Sequence, residues 1–239
     1  MSDVNLYAPL RIYDADRRVR YEPDRAAYLL DQLRNRKVLH VGCSDSPITG
    51  RRLAEGSLLH LRLRKVTSEV LGIDIVRDAL ALMQQHGCND VQYMDCEQLD
   101  LPTKYERILA GDVVEHLNNP GLFLQGAVRH LAPGGELIIG VPSAFSFNTL
   151  RVWAQRREMV HHDHTFYFSP KTLAELCRRH GLLPTRLVFT VQPQTQAESK
   201  AFVSIRSAII RACPSLAPSM IMHFRHESEV SREAFVTWS

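Results

Sequence analysis

Lys37-Val38-Leu39-His40-Val41-Gly42-Cys43-Ser44-Asp45-Ser46 is the stretch whose reading decides the fold. Its first half is a short apolar run, the composition of a strand buried on both faces of a parallel sheet. Its second half is a run of small residues, which let the backbone approach a ligand that a bulky side chain would hold off. A helix entered from such a turn aims unpaired N–H groups at the same place. Strand, small-residue turn and helix together describe one wall of a cofactor cradle.

Outward from this cradle, strand-like and helix-like stretches alternate. Upstream, Ala26, Ala27, Leu29, Leu30 and Leu33 recur at helical spacing from Pro23 to about Arg34, with Asp24 suited to the positive end of the helix. Residues 1–22 are polar and irregular and read as an arm or lid. Downstream, 48–65 is helical, interrupted at Gly56. Second and third strands follow at Glu69–Ile75 and Asp90–Cys96, separated by a helix over 77–85 that Gly87 closes. A fourth strand begins at Tyr105 and reaches Val114. Asn119-Pro120 opens the next helix, and Pro133-Gly134-Gly135 turns the chain into a fifth strand at Glu136–Pro142. A helical insertion near 146–158, a helix from Ser169-Pro170 to His180-Gly181, a strand over 182–191, a polar loop from Gln192 to Lys200, a helix over 201–212 and a strand over 219–226 complete the pattern. Such alternation specifies an α/β fold, a doubly wound and mostly parallel seven-stranded sheet with a helical insertion after the fifth strand. No linker divides the chain, so 1–36 reads as an N-terminal arm and helix and 37–239 as the main domain.

Composition excludes several function classes. An apolar fraction of 45% and a charged fraction of 23% suit a globular chain with a sizeable core. The formal charge of +3, with scattered arginines, lacks the concentrated basic face of a nucleic-acid binder. Five unpaired-looking cysteines, none in a CxxC arrangement, argue against a disulfide framework and fit a reducing cytoplasm. No run reaches transmembrane length and the N-terminus lacks a signal-peptide core, so no membrane partner is expected.

Ligands of an open parallel sheet bind outside the carboxyl ends of its strands. Those tips carry Gly42 to Ser46, then Asp74, Asp95-Cys96, and Asp112 to His116. A carboxylate ending the second strand is placed to accept from two ribose hydroxyls, so a nucleoside-bearing cofactor is expected. Two further groups can carry chemistry. Glu115 and His116 stand at the mouth of the fourth strand. His161, Asp163 and His164 belong to the run His161-His162-Asp163-His164-Thr165-Phe166-Tyr167-Phe168, in which a carboxylate can orient a neighbouring imidazole. Trp153 and the aromatic run after Thr165 are candidates for lining an acceptor pocket, with core packing as the competing role.

Over roughly residues 35–190 these tips, with the turn Leu131-Ala132-Pro133-Gly134-Gly135-Glu136-Leu137, resemble the class I S-adenosylmethionine-dependent methyltransferases. The segment Asp112-Val113-Val114-Glu115-His116-Leu117 and the His-rich run are most similar to small-molecule and glycan O-methyltransferases and to the ubiquinone-biosynthesis branch. The resemblance implies S-adenosyl-L-methionine as cofactor. It implies a cradle of His40, Gly42, Cys43, Ser44 and Asp45, with Asp74 and Ile75 at the ribose, Asp95 and Cys96 at the adenine, and Asp112 beside them. It implies a catalytic group of Glu115, His116, His161, Asp163 and His164 acting on a small polar acceptor such as a sugar or secondary metabolite. The chain departs from the family at His40, where an acid is usual, and at Ser44 and Ser46, where glycines are usual. The DxxEH spacing is similar to a metal pattern of the ubiquinone branch, so a divalent metal at Asp112, Glu115 and His116 is a further possibility, though no metal ligand is assigned. A nicotinamide-dependent oxidoreductase and a non-catalytic cofactor-binding relative are the rival readings. Acceptor identity and oligomeric state stay open.

Overall fold

A computed structural model describes residues 19–191 and 200–230. Most of the expected arm (1–18), most of the polar loop (192–199) and the tail beyond 230 lie outside the described residues.

All seven strands predicted from the sequence form, and an eighth joins them. In chain order they are β1 (Val19–Glu22), β2 (Lys37–Val41), β3 (Glu69–Asp74), β4 (Val91–Tyr93), β5 (Tyr105–Gly111), β6 (Leu131–Pro142), β7 (Leu182–Thr190) and β8 (Ser219–His226). They pair in the order β1-β7-β8-β6-β5-β2-β3-β4. β8 runs antiparallel to both neighbours, and every other pairing is parallel. The addition is β1, cut from the end of the stretch read as an arm. Its four residues add to the exposed edge of β7, a pairing set by distant backbone rather than by any local pattern.

The helices are α1 (Arg25–Gln32), α2 (Thr49–Ala54), α3 (Leu59–Leu63), α4 (Arg77–Gln85), α5 (Pro120–His130), α6 (Phe147–Ala154), α7 (Pro170–Arg178) and α8 (Lys200–Ala212). The break expected at Gly56 separates α2 from α3, with that residue at φ +64°. Caps begin several helices where expected. Asp24 accepts from the Ala27 amide at 2.9 Å, Asn119 precedes Pro120, and Ser169 and Thr172 form a reciprocal capping box.

Alternate side chains of the central strands feed two cores, the mark of a sheet covered on both faces. Leu39, Val41, Ile108, Ala110, Leu137 and Ile139 pack with Phe123, Leu124 and Leu173 of α5 and α7. Val38, Leu109, Ile138, Val188 and Ile221 pack with Tyr28 and Leu29 of α1 and Leu63 of α3. Burying β2 on both sides fixes its register, because a one-residue slip would exchange the two faces. The carboxyl ends of β2, β3, β4 and β5 therefore open side by side.

Candidate active site

The cradle is built from backbone. The amides of Gly42 and Cys43 both donate to the carbonyl of Ile73, at 2.9 and 3.3 Å, which ties the tip of β2 to the tip of β3. Gly42 lies at φ +71°, and a Cβ there would collide with the Val113 side chain, so glycine is needed for both conformation and approach. Asp45 takes the left-handed conformation at φ +57°, which aspartate tolerates better than most residues, so the loop turns without the family's glycines. The Asp74 carboxylate accepts from the Ser44 amide at 2.9 Å and the Val76 amide at 3.1 Å. Two acceptor positions remain on it, enough for a vicinal diol. Ile75 beside it is 61% exposed. The Ser44 hydroxyl is buried with no partner among the described residues, a polar atom left for a ligand. Cradle, carboxylate, exposed apolar side chain and orphaned hydroxyl fit a nucleoside-bearing methyl donor.

Further along the strand tips, Asp95 caps its own turn by accepting from the Glu97 amide at 2.9 Å. Glu97 in turn accepts from the amides of Asn118 and Asn119 at 2.8 and 3.1 Å, fastening the loop after β4 to the loop after β5. Cys96 is buried, and burial followed by the charge of Asp95 pushes its thiol up to about 12. It fills space as a neutral thiol.

Asp112 stands between the cradle and the histidines. Its backbone is left-handed at φ +57°, and its carboxylate accepts from Arg25 Nη1 at 2.6 Å. The Arg25 side chain, 10% exposed, crosses the ends of β5 and β6 because Gly140 has no Cβ to block it. The negative charge of Asp112 is felt at Asp45, Glu115 and His164 alike.

Past Asp112 the chain makes a short turn, Val114–His116. Thr165 stitches the His-rich loop to it. The Thr165 amide donates to the Glu115 carbonyl at 2.8 Å, its hydroxyl reaches the Leu117 carbonyl at 2.8 Å, and the Phe166 amide also reaches Glu115 at 3.2 Å. These bonds bring together histidines about fifty positions apart. The His116 ring meets His164 edge-on at 4.6 Å between centroids and His161 at 5.7 Å. Burial, then the adjacent His116 and His161, hold His164 below the ordinary imidazole range, so near neutral pH it offers a lone pair. Glu115 is buried with both carboxylate oxygens unpartnered, and burial followed by Asp112 pushes its carboxyl up to about 8.

Beside the histidines a cavity of about 480 Å³ is lined by Phe145, Leu150, Trp153, Met159, Val160 and Phe166, with His164 and Thr165 on its wall. No residue of α6 is buried, and Trp153 is 71% exposed.

Three expectations need correction. His40 is buried against His60, Nδ1 to Nδ1 at 3.3 Å, where His60 and Arg64 pair with Asp90. It lies on the Val38 face of β2 and belongs to the core, because period-two alternation turns it onto the face that α3 covers with His60. Asp163 pairs with His162 at 3.2 Å, both exposed, instead of orienting His161 or His164. The set Asp112, Glu115 and His116 does not gather as metal donors. Among the described residues, the clusters with donor atoms within 4.8 Å of one another are His116–His161–His164 and His161–His162–Asp163. Asp112 is engaged by Arg25, and Glu115, though buried, belongs to neither cluster. Arg25 and Thr165 are site residues that sequence reasoning missed. An arginine in a first helical turn and a lone threonine carry no local signal of a long-range contact.

The family model for "Methyltransferase domain" matches residues 13–186. The chain is 33% identical over 113 residues to the mitochondrial ubiquinone biosynthesis O-methyltransferase of Rattus norvegicus, covering 43% of this chain and 30% of that protein. It thus spans about a third of that relative's length. It is 23% identical over 169 residues to the ubiquinone biosynthesis O-methyltransferase of Dechloromonas aromatica (strain RCB), covering 65% of this chain and 68% of that protein. A solved structure of a SAM-dependent methyltransferase from Archaeoglobus fulgidus shares the fold with a TM-score of 0.55 at 16% identity, over 84% of this chain and 90% of that one.

Proposed function

The chain belongs to the methyltransferase-domain family; on that premise we propose that it is an S-adenosylmethionine-dependent enzyme that methylates a hydroxyl oxygen of a small acceptor with an apolar body. The observation that carries this reading is the Thr165 stitch, which holds the His161–His164 loop to the turn carrying His116, at the same strand tips that bear the Ser44 and Asp74 cradle. When bound, S-adenosyl-L-methionine supplies an electrophilic methyl group. Ser44 and Asp45 hold the amino-acid end of the donor, Asp74 and Ile75 its ribose, and Asp95 and Cys96 border its base. His164, held neutral, takes the proton from the acceptor hydroxyl at its ring nitrogen, and His116 fixes the ring that does so. The exposed apolar side chains of Phe145, Leu150, Trp153 and Phe166 give the acceptor's body an apolar seat.

These walls narrow the expected acceptor from a sugar to a phenol-like or otherwise apolar alcohol. The two ubiquinone biosynthesis relatives support O-methylation. A nicotinamide-dependent enzyme would call for the GxGxxG turn, which Gly42-Cys43-Ser44-Asp45-Ser46 lacks. The test is a panel of catechols, aliphatic alcohols and sugars incubated with isotope-labelled methyl donor. Label is expected in an apolar hydroxylated acceptor and lost in His164→Ala. Label confined to sugars or amines would overturn the reading.

A further inference from the structure

We propose that His116, His161 and His164 form a binding site for a borderline transition-metal dication of the zinc type, set in the wall of the acceptor cavity. Their nitrogens lie within 4.8 Å of one another. A zinc ion bound to nitrogen at about 2.0–2.1 Å puts tetrahedral ligand atoms about 3.4 Å apart, so rotation of partly exposed rings through about 1.4 Å closes the set. Other histidines of this chain show what a structural role looks like. His130 bonds Gly126 and Leu101, and His223 bonds Tyr28 and Glu136. The three rings at the mouth have no carboxylate or carbonyl partner among the described residues, and His164 Nδ1 is buried with none at all. Apart from a bond of 3.4 Å from the Asp163 amide to His161 Nδ1, the crowded imidazoles have no hydrogen-bond partners among the described residues, and a shared cation gives all three a partner.

The surroundings suit a cation. Asp112 and Asp163 place negative charge beside His164, offsetting a dication bound by three neutral ligands. The ligands are held from two directions, His116 by the turn after β5 and the other two by the Thr165 stitch, so little ordering is needed on binding. Imidazole nitrogens select zinc, cobalt, nickel or copper over magnesium and calcium, which take oxygen. This set shares only His116 with the carboxylate pattern noted in the sequence. Three protein ligands leave a fourth position, and His164 and Thr165 line the cavity, so that position faces the acceptor. With the ion bound, the lone pair of His164 is committed to it. An ion holding the acceptor oxygen at its fourth position then replaces His164 in promoting loss of the hydroxyl proton, which passes to solvent. That use rests on the O-methyltransferase reading, whereas the binding of the ion does not.

The experiment is a Co2+ titration of the tag-free full-length chain followed by visible absorption, with S-adenosylhomocysteine calorimetry on the same preparation. One Co2+ per chain should give the intense band of tetrahedral nitrogen coordination. Zn2+ should abolish it at one equivalent, and a hundredfold excess of Mg2+ should leave it intact. His116→Ala, His161→Ala and His164→Ala should each lose the band while keeping the wild-type circular dichroism, and His162→Ala should retain it. Absence of a saturable band, a band surviving His116→Ala and His164→Ala together, or displacement by Mg2+ would overturn the site. A chain that binds S-adenosylhomocysteine without Co2+ loses this inference and keeps the methyltransferase reading. Co2+ binding without O-methylation of any acceptor keeps the metal site and removes the proposed role of its fourth position.

Discussion

Two histidine-centred groups in this molecule differ in one respect that separates scaffold from site. Around His223, fully buried, both ring nitrogens are matched. Tyr28 Oη lies 2.7 Å from Nε2, Glu136 lies 3.0 Å from Nδ1, and Arg225 and Arg107 approach the other sides of the carboxylate at 3.3 and 3.7 Å. Around His116 the rings face one another across the mouth and leave donors and acceptors unspent. A satisfied network resists change, and an unsatisfied one waits for a ligand. Helix α1 links the two, presenting Tyr28 to the buried network and Arg25 to Asp112.

The contrast breaks most readily at the mouth. His164→Ala should lower kcat about 10²–10⁴-fold, the usual worth of a positioned proton acceptor, and shift stability by only about 0.5 kcal/mol. Steady-state kinetics beside thermal melts check both halves. A large melting shift with little kinetic loss would make this cluster scaffold after all.

Next in size is the inverse case. Glu136→Gln should cost about 3 kcal/mol of stability by leaving guanidinium groups and His223 poorly paired, with turnover per folded molecule unchanged. Burial works to raise the Glu136 carboxyl, but the His223 bond and the charges of Arg107 and Arg225 outweigh it and bring it to about 2. A carboxyl depressed on folding contributes fully above its ordinary value of 4.5, and the contribution drains away as pH falls toward 2. Denaturant melts across that window should show the slope in the parent and its loss in Glu136→Gln.

Gly140→Ala probes the link between the two regions. The new Cβ meets the Arg25 guanidinium, so Arg25 must shift and strain its pairing with Asp112, at a cost of about 1 kcal/mol. Stability and turnover should fall together, and Arg25→Ala should make the second change nearly silent in a double-mutant cycle. Smallest is Trp153→Ala, which should raise the acceptor KM up to about tenfold through lost apolar contact and leave kcat and cofactor affinity alone.

The sheet was legible because its information is local. The apolar run Val38–Val41, the small residues after it and Pro133-Gly134-Gly135 each specify their own conformation. The cradle was legible in part for the same reason, since Asp74 and Asp95 end strands whose periodicity is plain. What stayed hidden depends on contacts between distant segments. Nothing near His40 announces that α3 will bring His60 against it, and nothing near Thr165 announces the carbonyls of Glu115 and Leu117. β1 joined the sheet for want of a neighbour at the edge of β7, which four residues of local sequence do not encode. Asp163 has an imidazole on either side in sequence, and which of the two it pairs with, His162 rather than His164, is set by the loop conformation and not by the residue pattern.

The account stands most directly on calorimetric titration of S-adenosylhomocysteine into the wild-type chain, Asp74→Ala and His164→Ala. Saturable binding is expected in the wild type. It should weaken about tenfold or more without the Asp74 carboxylate and stay unchanged without the His164 imidazole. No heat in the wild type, or equal affinity in all three proteins, would contradict it.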